Sequence, residues 1–376
     1  GKIADEYGYD QVYDIEILTQ VQNHILDPQD DPGLHFQPIP TPYFSLFIIP
    51  FQFLSKLDIK VAFSLWTIAN LILFLAYLAF FLKSMVKHQE RNNFPLLLGL
   101  SVIISYPVFI NFFSGQIEVL LVICVGEMIR SAVAKKPAVA GAWLAGFLLK
   151  PQILILILPA LLLMKNWKSI AGFLLASAGI LIPSLALSGF HGLISMISLW
   201  FNYVPGIASN SPQAMANWRM LAININHWTN SSAGWVVAGI GMAATLIICI
   251  MLCRKNVNFG SKSWGIQWMG IFAASLAFTW HSHLHMMMAL IPFILFCAFN
   301  FPEQKNHLLD PWVYPFPMIL LIGYLMLQLI ILNIIPAGFD LAKPLLGLTG
   351  LGLNLYIAFF AGKKLSSASD ESITMQ

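Results

Sequence analysis

Long apolar runs recur along the whole chain, and they constrain its fold more than any other feature. Of the 376 residues, 58% are hydrophobic and only 10% are charged. A run of about 20 apolar residues suits a helix that crosses the hydrocarbon core of a bilayer. A transmembrane β-barrel needs short segments of alternating polarity, and these runs do not alternate. The sequence therefore predicts an all-α polytopic membrane protein.

Hydropathy predicts about 11 transmembrane helices in this chain. The predicted spans are 61–82, 94–113, 116–132, 137–149, 151–164, 167–188, 233–253, 263–280, 284–300, 313–335 and 341–361. A shorter apolar segment, 42–54, is interrupted by Pro50 and has the length of a re-entrant or interfacial segment. The chain opens on Gly1 with no Met and no signal-peptide pattern. We therefore expect a first helix to be missing, which gives 12 spans in the whole protein.

The basic residues are distributed unevenly between the loops, and this predicts the orientation in the membrane. If 83–93 is cytoplasmic, alternation of the spans places 14 of the 20 Lys and Arg on that side. Three regions follow: an outer acidic loop with a juxtamembrane helix at 1–40, a transmembrane domain at 41–364 with an outer loop at 189–232, and a cytoplasmic tail at 365–376. The four cysteines lie in apolar segments, which predicts buried thiols and no disulfide framework.

The run 138–164 is the most informative of the apolar segments, because its only charge, Lys150, is followed at once by Pro151 and Gln152. Proline removes a backbone donor and disfavours helix at the residue before it. A lone ammonium in lipid costs about 2.5–3.5 kcal/mol on insertion scales. We expect two short helices that meet at Lys150, whose side chain faces a polar cavity at the membrane boundary. The alternative is a lysine that snorkels from the end of a span.

The first 40 residues hold eight of the 17 acidic side chains. Within them, 10–26 is predicted as a short helix on the membrane and 27–42 as a Pro-rich loop. A carboxylate here is a candidate general base if it lies within hydrogen-bond reach of a hydroxyl. The alternative is that these acids form a solvated surface.

Other polar side chains are also predicted on the outer face. They are Gln116, Glu118, Gln152, Asn217, Arg219, His281, His283 and His285. Arg219 is the only Lys or Arg in 189–232, and with Lys150 it offers a cation for a phosphate-bearing ligand. Its alternative role is to satisfy loop carbonyls. Gln116 and Glu118 are either ligand-binding or helix-end polar residues, and Trp218 and Trp280 are candidates to stack on a sugar.

The three histidines alternate, which does not match the i, i+4 spacing of a helical metal pair, and neither Cys nor an HExxH motif accompanies them. Hydrogen bonding to a substrate is favoured over a metal site or a helix cap. The chain also lacks a Walker motif, a GxGxxG motif that opens a βαβ unit and a sizeable soluble domain. An activated donor would then reach the protein through the membrane, as a lipid, and no nucleic-acid partner is expected.

Several stretches together resemble a known family in their order and spacing. They are FQPIPTPYFSLFIIPFQFLS, AFSLWTIANLILFL, FSGQIEVLLV, GAWLAGFLLKPQILILILPALLLMKNWKS, MANWRML and HSHLHMMMALIP. Over roughly residues 5–300 the chain resembles the polyprenyl-phosphate-sugar-dependent glycosyltransferases of the GT-C superfamily, specifically the bacterial family GT87 (DUF2029).

The resemblance implies an integral-membrane inverting glycosyltransferase with a GT-C-like fold. Such enzymes pass a hexose, usually mannose, from a polyprenyl-phosphate donor to a hydroxyl of a lipid-linked or glycan acceptor on the outer face of the cell membrane. A phosphate leaving group requires neither a metal nor another cofactor.

The resemblance also assigns roles to individual residues. Gly8–Tyr9–Asp10 matches the family's Gly-x-Asp element, which implies that Asp10 is the catalytic base. Tyr13 follows one position early, so Asp14 is a rival for this role. The Lys-Pro element corresponds to Lys150, the Asn-x-Arg element to Asn217 and Arg219, and the late histidine motif to one of the three histidines at 281–285.

A transporter or lipid flippase is the alternative from another functional class. Polar groups at helix breaks also mark transport sites. That alternative predicts internal repeats and polar residues at mid-membrane depth in both halves of the chain. The polar residues of this chain are instead predicted to cluster at the outer face, which favours the enzyme.

Overall fold

The structure, a computed structural model, describes residues 1–26, 43–85, 102–103, 105–203, 212–299 and 339–373. In this part of the chain all regular elements are helical, which confirms the predicted all-α class. In chain order the α-helices are α1 (Lys2–Glu6), α2 (Ile15–Leu26), α3 (Ile49–Leu54), α4 (Ile59–Met85), α5 (Tyr106–Phe113), α6 (Glu118–Val133), α7 (Pro137–Leu144), α8 (Leu154–Leu163), α9 (Trp167–Ser198), α10 (Trp218–Thr229), α11 (Ala233–Cys253), α12 (Lys262–Phe278), α13 (Ile291–Phe299) and α14 (Phe339–Ile373).

Four helical segments among the described residues are long and apolar enough to cross a membrane. They are Ile59–Met85, Trp167–Phe201, Ala233–Cys253 and Lys343–Ser366. Shorter apolar helical segments are Ser45–Leu54, Pro137–Leu149, Pro151–Leu163 and Leu284–Cys297. The total of about 11 spans stays a prediction, since the predicted span 313–335 and part of the predicted span 94–113 lie outside the described residues. The predicted loop 27–42 also lies outside them.

The chain divides into two compact units. The first comprises Gly1–Ile68, Leu148–Lys150 and Leu174–Ser211, and the second comprises Ala69–Phe147, Pro151–Phe173 and Pro212–Gln376. The hydrophobic core of the first unit combines the N-terminal segment with residues from two later parts of the chain, 44–48 and 196–199. Its buried members are Ile3, Ala4, Val12, Tyr13, Leu18, Val21, Phe44, Ile48, Met196 and Leu199.

Tyrosine hydroxyls fix the acidic N-terminal segment within the first unit. The Tyr13 hydroxyl donates to the carbonyl of Tyr43 and lies 3.1 Å from the hydroxyl of Ser45. Burial raises the pKa of Tyr13 to about 12, so this hydroxyl stays protonated as a donor. The Tyr9 hydroxyl donates to Oε1 of Gln52 at 2.6 Å. The N-terminal segment is therefore a packed part of the unit.

The helix α9 bends at Gly189, where the predicted span 167–188 ends. Gly189 has φ 63° and ψ −179°, a backbone conformation that glycine adopts without steric cost. Helix resumes after this residue and continues to Ser198, followed by a π-helical turn at Leu199–Tyr203. The predicted outer loop 189–232 is therefore largely helical where it is described, since it also contains α10.

Two short helical segments meet at Lys150, as the position of Pro151 predicts. The α7 helix continues as a 3-10 turn at Ala145–Leu149, and a second 3-10 turn at Pro151–Ile153 leads into α8. The predicted span 233–253 coincides with α11. The last helix, α14, runs to Ile373 and so extends into the segment predicted as a tail.

Two glycines allow α7 and the start of α9 to touch through their backbones. A Cβ atom on Gly141 would lie 1.9 Å from the carbonyl oxygen of Ser169, and one on Gly172 would lie 1.8 Å from that of Ala138. The Ser169 hydroxyl also donates to the carbonyl of Pro137 at 2.9 Å. Small residues at such spacings let helices approach closely in membrane proteins.

A polar network links α4 to α6 in the second unit. The Arg130 guanidinium donates to both oxygens of Glu127, at 2.7 and 2.8 Å. The Tyr77 hydroxyl donates to the same carboxylate at 3.0 Å. The four cysteines are free and buried, as predicted.

Candidate active site

Asp10 is held in a defined orientation in the first unit, with its side chain open to solvent. It lies in the 3-10 turn Tyr9–Gln11 and is exposed. The Gln11 amide donates to Asp10 Oδ2 at 2.9 Å. Gly8 has φ 97°, and a Cβ there would lie 2.9 Å from Asp10 Oδ1. The local geometry therefore explains why a glycine occupies the first position of the Gly-x-Asp element. It allows the turn and leaves space for the Asp10 carboxylate.

Asp14, the rival for the role of base, has a structural role in the fold. Its Oδ1 accepts from the backbone N–H groups of Glu16 at 2.8 Å and Ile17 at 3.0 Å. These bonds satisfy the first N–H groups of α2, as an N-capping carboxylate does. The two acids therefore differ in geometry, because the Asp14 carboxylate caps α2 whereas the Asp10 carboxylate is exposed.

Lys150 is enclosed by protein. The residue is 9% exposed, whereas a snorkelling lysine would extend along an outer surface. Leu148 packs against the core of the first unit. Lys150 belongs to this unit together with Asp10 and Asp14. Gln152 lies half-buried in the next 3-10 turn, which belongs to the second unit.

In the second unit a buried carboxylate lies against a histidine. Glu118, the first residue of α6, is 0% exposed, and its Oε1 lies 3.4 Å from Nε2 of His285. The Glu118 backbone N–H donates to Oδ1 of Asn111 at 3.2 Å. Gln116 is half-buried, and its N–H donates to the carbonyl of Asn111 at 2.8 Å. This end of α6 is therefore organised by side chains from α5 and from the histidine segment.

The three histidines are in mutual contact. The ring centroids of His281 and His283 are 4.8 Å apart with nearly perpendicular planes, and those of His283 and His285 are 5.4 Å apart and stacked. His281 and His283 are half-buried, whereas His285 is 8% exposed. Within the part of the chain that the structure describes, no group of three or more His, Cys, Asp or Glu side chains has the arrangement of a metal site.

Arg219 lies over an indole ring beside the histidines. Its guanidinium carbon is 4.6 Å from the Trp280 ring centroid, a cation–π distance. Trp280 in turn stacks on Trp235 of α11 at 5.7 Å. These side chains line a cleft of about 110 Å³ that Met242 and Phe278 also border. Burial lowers the pKa of Arg219 from its usual value, but arginine remains charged at physiological pH.

Asn217 is the N-cap of α10. Its Oδ1 accepts from the N–H of Met220 at 3.1 Å, so the side chain of this predicted donor-binding residue orients the helix that carries Arg219. The preceding N–H, of Ala216, donates to the carbonyl of Ser282 at 2.7 Å. This bond places the start of α10 directly beside the histidine segment.

Trp218, a candidate to stack on a sugar, is half-buried and packs against α11. Its indole N–H donates to Thr245 at 2.9 Å, and its ring occupies the space beside Gly241, where a Cβ would lie 2.4 Å from the indole. Trp235 and Asn111 contribute to the site but were not predicted from the sequence. Their only sequence signal is a polar or aromatic residue near the end of an apolar run, which many structural residues share.

The predicted site residues are thus divided between the two units. The first unit contains Asp10, Asp14 and Lys150. The second contains Gln116, Glu118, Gln152, Asn217, Arg219, His281, His283 and His285. A buried acid–histidine pair and an arginine in one helical unit are typical of a binding or catalytic site, because uncompensated burial of such groups is costly.

These features define a helical membrane protein with a polar, ionisable site among apolar helices. The chain belongs to glycosyltransferase family 87, whose sequence profile matches residues 41–279. The match confirms the resemblance and includes Lys150 and Arg219, but it does not extend to Asp10 or to the histidines at 281–285. No curated protein and no solved structure gave a significant match.

Proposed function

We propose that this glycosyltransferase transfers a hexose, with mannose expected, from a polyprenyl-phosphate donor to a hydroxyl of a lipid-linked or glycan acceptor. The reaction takes place on the outer face of a bacterial cell membrane. The observation that carries the proposal is Lys150, a cation enclosed by protein between two apolar helical segments. An enclosed cation at such a position suits an anionic phosphate attached to a lipid.

The proposed chemistry is a single displacement at the anomeric carbon. Asp10 accepts the proton of the acceptor hydroxyl as the oxygen attacks, which forms the new glycosidic bond. The bond between the anomeric carbon and the phosphate oxygen breaks, and its electron pair leaves with the polyprenyl phosphate. Lys150, Arg219 and a histidine stabilise the negative charge on this leaving group. One displacement inverts the anomeric configuration.

The experiment that tests this function uses the purified full chain in liposomes of bacterial lipids. Radiolabelled polyprenyl-phosphate mannose is the donor, with the corresponding glucose donor and a nucleotide-linked mannose for comparison. We expect label from a polyprenyl-phosphate sugar in a lipid or glycan product, and none from the nucleotide sugar. Transfer from the nucleotide sugar alone, or efflux of the intact donor without transfer, would contradict the proposal.

Replacing Lys150 by Met keeps the side-chain length and removes the charge. We expect kcat/KM for the donor to fall about 10²–10³-fold, the usual cost of removing one electrostatic stabiliser. The matched control is Lys83→Met, since Lys83 is an exposed lysine in the last turn of the apolar helix α4. Equal donor kinetics in the Lys150 and Lys83 variants would show that Lys150 does not bind the phosphate.

Replacing Arg219 by Lys keeps the charge but removes the planar fork that lies over Trp280. A lysine cannot reproduce bidentate binding of a phosphate, so we expect donor kcat/KM to fall about ten- to a hundredfold. Arg254→Lys, at the exposed end of α11, is the control and should retain full activity. Donor kinetics are measured by initial rates in the same liposomes, and full activity of Arg219→Lys would argue for a structural arginine.

A further inference from the structure

Glu118 and His285 form a contact that is more deeply buried than a surface ion pair. Glu118 is 0% exposed and His285 is 8% exposed. Oε1 of Glu118 and Nε2 of His285 are 3.4 Å apart. Taking a carboxylate out of water is costly unless a cation or donors compensate it. A pair buried in this way contributes little net stability compared with apolar residues, so its presence calls for a reason other than folding.

A role in helix stability does not account for this burial. An acid in the first turn of α6 interacts favourably with the positive end of the helix dipole. That effect is obtained equally well by an exposed carboxylate such as Glu16 in the first turn of α2. The burial of Glu118 instead follows from its contact with the histidine segment, since α6 packs directly against the 3-10 helix Leu284–Leu290.

The three histidines differ in how deeply they are buried. His285 is buried against Glu118, His283 is half-buried and stacks on His285, and His281 is half-buried and contacts the edge of His283. A carboxylate this close to Nε2 favours the protonated imidazole by charge attraction. Glu118 then sets the orientation and charge of the His285 ring. This ring in turn supports His283, which His281 contacts.

Further ionisable groups lie on the elements that pack against this segment. They are Tyr106 on α5, Cys124, Glu127 and Arg130 on α6, Lys262 on α12 and Cys297 on α13. Glu127 already binds Arg130 and Tyr77, and it lies nine residues, or about 13 Å, further along α6. Glu118 is therefore the carboxylate of this helix that meets the histidine run.

We propose that Glu118 is a positioning residue, which holds His285 in one orientation and in the protonated form, so that the histidine run presents positive charge to the departing phosphate. This inference rests on the proposed function for the identity of the ligand. It assigns the deep position to His285 and leaves contact with the ligand to the half-buried histidines. Glu118 itself does not touch the substrate.

The first arm of the test is spectroscopic and does not depend on activity. The full chain is prepared with ¹⁵N-labelled histidine, and the signals of His285 are assigned as those absent from a His285→Gln variant. In Glu118→Gln, which keeps the shape and removes the charge, we expect these signals to move towards those of a neutral imidazole. Glu127→Gln is the matched control and should leave them in place. Signals of His285 that do not respond to Glu118→Gln would overturn the proposal.

The second arm is a double-mutant cycle in the donor assay. Glu118→Gln should lower kcat about ten- to a hundredfold with little change in acceptor KM, and Glu118→Asp, which keeps the charge, should recover part of this loss. In a His285→Gln background, Glu118→Gln should have no further effect, because the carboxylate acts through that ring. Additive losses would overturn the proposal. If the wild-type chain does not use polyprenyl-phosphate sugars, the proposed function fails, but the spectroscopic arm still decides the role of Glu118.

Discussion

Replacing Asp10 by Asn is expected to abolish sugar transfer while leaving the protein folded. The amide keeps the shape of the side chain but cannot accept the proton of the acceptor hydroxyl. Loss of a general base costs about 10²–10⁴-fold in rate. Asp10 is exposed and accepts a hydrogen bond from the neighbouring Gln11, so thermal stability should not change. Initial rates in liposomes and thermal unfolding in detergent are the two measurements.

The rival carboxylate provides the matched control for this experiment. Asn is as good an N-cap as Asp, so Asp14→Asn should keep both α2 and the activity. Asp14→Ala should instead lower stability by about 1 kcal/mol through the lost cap. An inactive but folded Asp14→Asn protein, together with an active Asp10→Asn protein, would transfer the role of base to Asp14.

The parts of the fold that could be predicted from the sequence are those with strong local causes. The span 233–253 coincides with α11 because a continuous apolar run allows one helix without competing breaks. The two helical segments around Lys150 follow from the geometry of Pro151. The predicted helix 10–26 is wrong at its start, since α2 begins at Ile15, where the Asp14 side chain caps it.

The site was harder to predict because capping residues and ligands are drawn from the same residue types. Asn217 has the composition of a phosphate ligand, yet its Oδ1 caps α10. The pairing of Glu118 with His285, and the stacking of Trp235 on Trp280, depend on contacts between distant segments. No local pattern in the sequence encodes these contacts. The grouping of Asp10, Asp14 and Lys150 in one unit likewise results from tertiary packing.

The largest expected effect on folding comes from adding one methyl group at either of two glycines. In Gly141→Ala the new Cβ would lie 1.9 Å from the carbonyl oxygen of Ser169, and in Gly172→Ala it would lie 1.8 Å from that of Ala138. Both obstacles are backbone atoms, so no side chain can rotate away, and α7 must separate from α9. Overpacking of a tight contact costs about 1–3 kcal/mol, occasionally more, and we expect the upper end here. Size-exclusion chromatography after heating should show a transition several degrees lower.

The sign of this effect distinguishes packing from helix propensity. Alanine is favoured over glycine inside a helix by about 0.5–1 kcal/mol, so propensity alone predicts that both variants are more stable. Gly179 provides the control on α9, because a Cβ there meets no atom within 4 Å. Gly179→Ala should therefore raise the transition temperature, whereas Gly141→Ala and Gly172→Ala lower it. If all three variants are stabilised alike, α7 and α9 do not touch through their backbones in the membrane.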